Sequence, residues 1–163
     1  MSRIQKNWNK SNVTEKIDSL LSKFDDGELF VEEMFSESIV FDDNKIKTAS
    51  FDQDKGFGLR IVKDEEFKFF HSSDLTDESL NEAIKYMKTL SFNQKNFNNS
   101  IKSKKTNTIL YNDTNPISQI ELKKKISFLK NVNKFARSLD TNIKQVSISL
   151  SGNFQKIEVT RAN

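Results

Sequence analysis

Between Leu29 and Ser72 the chain is a run of short segments rich in Phe, Ile and Val, each cut off by acidic or amide residues. Connections this short leave no room for the crossovers that parallel strands need, so neighbouring strands must run antiparallel. ELFVEEMF and ESIVF read as the first two strands. Asp42-Asp43-Asn44 then turns the chain into KIKTASFD, Gln53-Asp54-Lys55 into GFGLRIVK, and Asp64-Glu65-Glu66 into FKFFHS. The expectation is a five-strand antiparallel meander.

Helical periods flank this region. Val13, Ile17, Leu20, Leu21 and Phe24 recur at spacings that put them on one face of a helix from about Asn12 to Phe24. Ser11 is placed to cap it, and Asp25-Asp26-Gly27 to stop it. After the meander, Thr76 precedes Asp77 and Glu78, acids suited to the positive end of a helix. Leu80, Ala83, Ile84 and Met87 form that helix's apolar stripe. Residues 91–115 are polar and without period, and read as a long connection with one short strand near Thr108–Tyr111. The S-x-x-E box from Ser118 to Glu121 opens a third helix, running to about Leu139. Its face carries Leu122, Ile126, Leu129, Val132 or Asn133, Ala136 and Leu139. Finally Val146, Ile148 and Leu150 alternate with serines, and Ser151-Gly152-Asn153 turns the chain into FQKIEVTR, a C-terminal β-hairpin. The fold class is α+β, one domain over residues 1–163, with helices packed on one face of the sheet. A sequence that stops on its last strand reads as truncated.

Several chemistries are excluded by count. The 163 residues include no Cys and one His, His71, so disulfides, thiolate sites and a two-histidine zinc helix are impossible. No run of about 18 apolar residues occurs, and the N-terminus has no apolar leader, so no membrane partner and a cytoplasmic location are expected. The net charge is +3, but only four of the 26 basic residues are Arg, the side chain best suited to base and phosphate contacts. Charge is also divided: residues 25–82 hold 17 acids and six bases, while residues 91–140 hold ten bases and three acids. A nucleic-acid partner is therefore not expected.

The remaining constellations read as structural. Lys123-Lys124-Lys125 reads as the solvent face of its helix, or as a charged contact with a partner chain. Gly56-Phe57-Gly58 lies in a strand and lacks a third glycine, so it marks a bulge or a close backbone approach. The pairs Asp25/Asp26, Glu32/Glu33, Asp42/Asp43 and Glu65/Glu66 are sequence neighbours in turns or on opposite strand faces, and form no catalytic dyad. His71 reads as a partly exposed sheet residue.

One ordered set of short matches goes further. Glu32-Glu33, Lys47-Thr48-Ala49-Ser50, Gly56-Phe57-Gly58-Leu59-Arg60 and Ser73-Asp74-Leu75-Thr76 follow one another as in the opening domain of the TldD/PmbA family. FARSLDTNIKQVSISLSGNFQKIEVTRAN resembles that family's TldD branch. The resemblance covers about Gly27 to Ala83 and Phe135 to Asn163. It implies a cytoplasmic zinc-dependent peptidase acting on peptides or unfolded segments, from a family also labelled modulators of DNA gyrase. It implies a PmbA/TldE-like partner chain or a homo-oligomer. In TldD-type chains the zinc ligands lie in an H-E-x-x-x-H helix and a later Cys, both in a C-terminal domain. Neither exists here, so no catalytic or metal residue can be carried over, and zinc is expected in the missing C-terminal domain. The resemblance leaves this segment a substrate-guiding or assembly role, with Arg60 and Asp74 as candidates for a domain interface or substrate channel. The alternative is a stand-alone binding module, a protein adaptor or a polyanion binder using the Lys-rich residues 91–137.

Overall fold

The computed structural model describes residues 10–92 and 114–161, and side chains from residue 12 onward. The strand expected near Thr108–Tyr111 lies outside the described residues. The elements are α1 (Lys10–Leu21), β1 (Asp26–Asp42), β2 (Lys45–Lys63), β3 (Glu66–Ser72), α2 (Asp77–Thr89), α3 (Pro116–Gln119), α4 (Leu122–Leu139) and β4 (Ser147–Arg161). One sheet holds the strands in the order β3-β2-β1-β4.

The α+β class stands, but the expected five-strand meander and C-terminal hairpin resolve into four longer strands. The reason lies in which polar clusters reverse the chain. Among the described residues, positive φ outside glycine occurs only at Asp43 and Asn44 (44° and 64°) and at Asp64 and Glu65 (52° and 66°). Two successive positive φ values make the tight turn whose twist suits an antiparallel hairpin. These two turns join β1 to β2 and β2 to β3. Gln53-Asp54-Lys55 and Ser151-Gly152-Asn153 stay extended inside β2 and β4. Their polar side chains need no turn, because that part of β2 is exposed and β4 alternates along its length. Ser36 and Glu37 likewise do not interrupt β1: Leu29, Val31, Glu37, Ile39 and Phe41 keep one parity and are all buried.

Two compact units are assembled from these elements. The described residues of the first are 10–33, 55–92 and 156–161. Its core gathers Val13, Ile17, Leu20 and Leu21 of α1, Leu29 and Val31 of β1, Phe57, Leu59 and Ile61 of β2, and Leu80, Ala83, Ile84 and Met87 of α2. The spacing predicted both helical faces. Helix α1 already includes Lys10, the first described residue, so Ser11 lies within the helix and not at the boundary expected for it. The apolar stripe marks a helix's buried side and not its terminus. At the other end the chain tightens through Lys23 N–H to Leu20 O and Phe24 N–H to Leu21 O, and Asp25 N–H then joins Val62 O at 2.9 Å. Helix α2 starts as expected: the Thr76 hydroxyl accepts from Ser79 N–H at 3.3 Å. Thr76→Ala should cost about 1 kcal/mol, read as a lower urea midpoint.

The second unit comprises residues 34–54 and 114–155. Its core is smaller: Ile39 and Phe41 of β1 meet Leu129 of α4, with Ile148 and Leu150 of β4 packed alongside. The expected capping box does not form. Ser118 Oγ donates to Asn115 O, while Asn115 Oδ1 accepts from Ile117 N–H and caps the short α3. The chain is extended at Ile120, and α4 starts at Leu122 with no side-chain cap from Glu121. Pro116 suits the first position of α3, so the break falls one turn later than the box implied. The buried stripe of α4 is Lys125, Leu129 and Asn133, whereas Leu122 and Leu139 are exposed.

Candidate functional site

The second unit buries an ion pair. Glu37 points inward from β1, and Lys125 reaches it from α4 with both side chains at most 7% exposed. Lys125 Nζ lies 2.7 and 2.6 Å from the two carboxylate oxygens and 2.8 Å from Ile117 O, so all three ammonium hydrogens have acceptors. The expectation that Lys125 faces solvent is corrected: it occupies the i, i+4, i+8 row of Leu129 and Asn133. Two signals pointed this way. Glu37 has the parity of Leu29, Val31, Ile39 and Phe41, and Lys125 sits four residues before Leu129. A neighbouring network holds the β1–β2 turn. Asn133 Nδ2 donates to Asn44 Oδ1, and Arg137 donates to Asp43 Oδ1 at 2.6 Å.

A cavity of about 500 Å³ opens beside the ion pair. Ile117, Ile120, Phe128 and Leu150 give it apolar walls, with Lys124 and Asn153 also on its lining. Gly152 explains the space. It sits on the half-buried face of β4, between Leu150 and Phe154, where a side chain would otherwise project. A Cβ there would lie 3.5 Å from Ile117 and 3.8 Å from Glu37, which is ordinary contact.

The two residues singled out in advance lie in the first unit and bond to separate neighbours. Arg60 pairs with Phe69 across β2 and β3 and donates to Glu28 Oε1 at 3.1 Å and Asp26 Oδ2 at 2.9 Å. Burial alone would lower its pKa, but the hydrogen bonds and charges of Asp26 and Glu28 outweigh that and raise it. Arg161 also binds Glu28, at 2.9 Å. Around this cluster the exposed side chains include Phe67 and Phe69 of β3 and Ile157 and Val159 of β4. Asp74 belongs to the turn into α2: it accepts from the Thr76 hydroxyl at 3.0 Å, and its own N–H donates to Ser72 Oγ. His71 is exposed, with its ring 5.9 Å from that of Phe69. Gly56 marks a close backbone approach, since a Cβ would come within 2.7 Å of Ser72 O.

The donor set does not suit a zinc ion. The chain has one histidine and no cysteine, and no three His, Cys, Asp or Glu side chains cluster among the described residues.

Residues 27–89 match the family model described as PmbA/TldA metallopeptidase domain 1. The chain is 28% identical over 137 residues to the Metalloprotease TldD homolog of Buchnera aphidicola subsp. Acyrthosiphon pisum, covering 84% of this chain and 28% of that protein. It is 29% identical over 137 residues to the Metalloprotease TldD homolog of Haemophilus influenzae, covering 82% of this chain and 28% of that one. It thus spans about 28% of the length of these curated relatives. Among solved structures, a candidate modulator of DNA gyrase from Bacteroides thetaiotaomicron superposes with a TM-score of 0.65 at 16% identity, over 96% of this chain and 37% of that one. A similarly described protein from Thermotoga maritima gives 0.52 at 11% identity, over 91% and 37%. At these identities the structures establish a shared fold.

Proposed function

We propose that the chain is the N-terminal domain of a TldD/PmbA-family protein, and the substrate-guiding and assembly part of a TldD-like metallopeptidase. The observation that carries this reading is the joint match of residues 27–89 to the first-domain model and of most of the chain to TldD homologues. The reaction is proteolysis of peptides or unfolded segments in the cytoplasm. The zinc is held by a C-terminal domain, because this chain's donors do not suit it. The remaining partners are a PmbA/TldE-like chain or a second copy. Among the described residues the outer strands of the sheet are β3 and β4, and such edges can take up an extended peptide through main-chain hydrogen bonds that tolerate many sequences. Arg60, beside the exposed Phe69, and Asp74, at the start of α2, are the residues proposed to meet the neighbouring domain.

Titration of the purified chain with zinc should show no stoichiometric uptake, and unfolded casein should stay intact in its presence. One-to-one tight zinc binding accompanied by cleavage would sink the proposal. In the complete protein, Arg60→Glu should lower cleavage about tenfold if a domain contact worth roughly 1.4 kcal/mol is lost. Unchanged cleavage would remove Arg60 from the interface.

A further inference from the structure

We infer that the cavity bounded by α3, α4 and β4 is a side-chain pocket for an acidic peptide, seating one large apolar side chain beside Gly152 and a carboxylate at Lys124. This rests on the reading of the chain as a peptide-handling domain and adds to it a place and a ligand chemistry.

The cavity's size and walls fix the first half. About 500 Å³ bounded by Ile117, Ile120, Phe128 and Leu150 accepts a leucine or phenylalanine side chain. Ile120 and Phe128 remain 52% and 58% exposed, so apolar surface lies open at the pocket instead of being closed into the core. Glycine at position 152 keeps it open. The pocket does not offer a charge to the ligand from its floor, because Lys125 is saturated by Glu37 and Ile117.

Charge complementarity fixes the second half. Helix α4 contains no Asp or Glu from Leu122 to Leu139. Two of its six cations are paired internally, Lys125 to Glu37 and Arg137 to Asp43. Lys123, Lys124, Lys130 and Lys134 are exposed, and Lys124 lines the cavity itself. A basic peptide would meet like charge at Lys124, and an acidic one would meet a solvated cation there, with no acid of α4 to oppose it.

The test is fluorescence anisotropy of the 163-residue chain with fluorescein-labelled Glu-Glu-Phe-Glu-Glu. Versions with Ala for Phe, and with Lys for every Glu, serve as controls. The acidic Phe peptide should bind at least about tenfold more tightly than the Ala version, the scale set by burying one large apolar side chain. It should bind more tightly still than the basic version. Gly152→Leu, which places its side chain in the cavity, should abolish the preference for Phe over Ala. Lys124→Glu, a surface change that leaves the core intact, should abolish the preference for acidic over basic peptide. Circular dichroism checks that both variants fold, and the Lys124 variant keeps the test decisive if the Gly152 variant does not. Peptide binding that neither variant alters overturns the pocket and leaves the peptide-guiding reading standing. No binding of any of the three peptides overturns both. Competition by single-stranded DNA that displaces Phe and Ala peptides alike, and is untouched by Gly152→Leu, overturns the pocket in favour of a general polyanion surface. Concentration-dependent self-association removed by Gly152→Leu assigns the pocket to a second copy and also overturns it.

Discussion

Replacing Lys125 by alanine is expected to lower the unfolding free energy by about 3–5 kcal/mol. The substitution leaves the Glu37 carboxylate inward on β1, 6% exposed and without its ammonium partner. An isolated buried charge is far costlier than a missing contact, because water cannot replace the lost partner. Removing both charges has a different consequence. The double variant Glu37→Leu/Lys125→Met keeps similar volume with no charge to desolvate, and should recover most of the loss. Urea unfolding of the two singles and the double, taken as a cycle, measures the coupling. A cost below about 1 kcal/mol for Lys125→Ala would mean that water from the adjoining cavity solvates Glu37, and the pair would count as a surface one.

Leu59→Ala is the second large effect, at about 2–5 kcal/mol. Leu59 is fully buried in β2, stands opposite Phe70 of β3, and belongs to the core cluster shared with α1 and α2. Truncation removes its own transfer free energy and leaves a void that a strand held on both sides cannot collapse to fill. The urea midpoint should fall, and backbone amides of α1 and α2 should lose exchange protection. A loss under about 1 kcal/mol would show that the helices settle onto the shortened side chain.

The sequence made the first unit more legible than the second. Its helices carry single-purpose stripes: every apolar residue assigned to α2 is buried, and the Thr76 cap forms. Strand boundaries were misread because polarity alone does not reverse a chain. Asp43-Asn44 and Asp64-Glu65 adopt positive φ, and Gln53-Asp54-Lys55 does not, yet all three are equally polar. In the second unit the buried ion pair hid the pattern. Glu37 looked like the first residue of a separate strand after a break at Ser36, and Lys125 looked like part of a solvated run. Parity and helical spacing hint at each burial locally, but the partner that makes it tolerable lies 88 positions away. The cavity was invisible for a related reason. Gly152 suggested a turn, and nothing local to it reveals that its partners would be Ile117 and Glu37.

The interleaving of the two units bears on how the chain is made. Among the described residues the first unit draws on 10–33, 55–92 and 156–161, and the second on 34–54 and 114–155. A ribosome releases the chain from its beginning, so neither unit has all its parts until residues of β4 have emerged. β4 contributes to both, and its Arg161 is bonded to Glu28, 133 positions away. Pairings of such long range form late and slowly compared with local ones. Until then β1 lacks β4 beside it, and an unpaired strand edge of this kind favours aggregation.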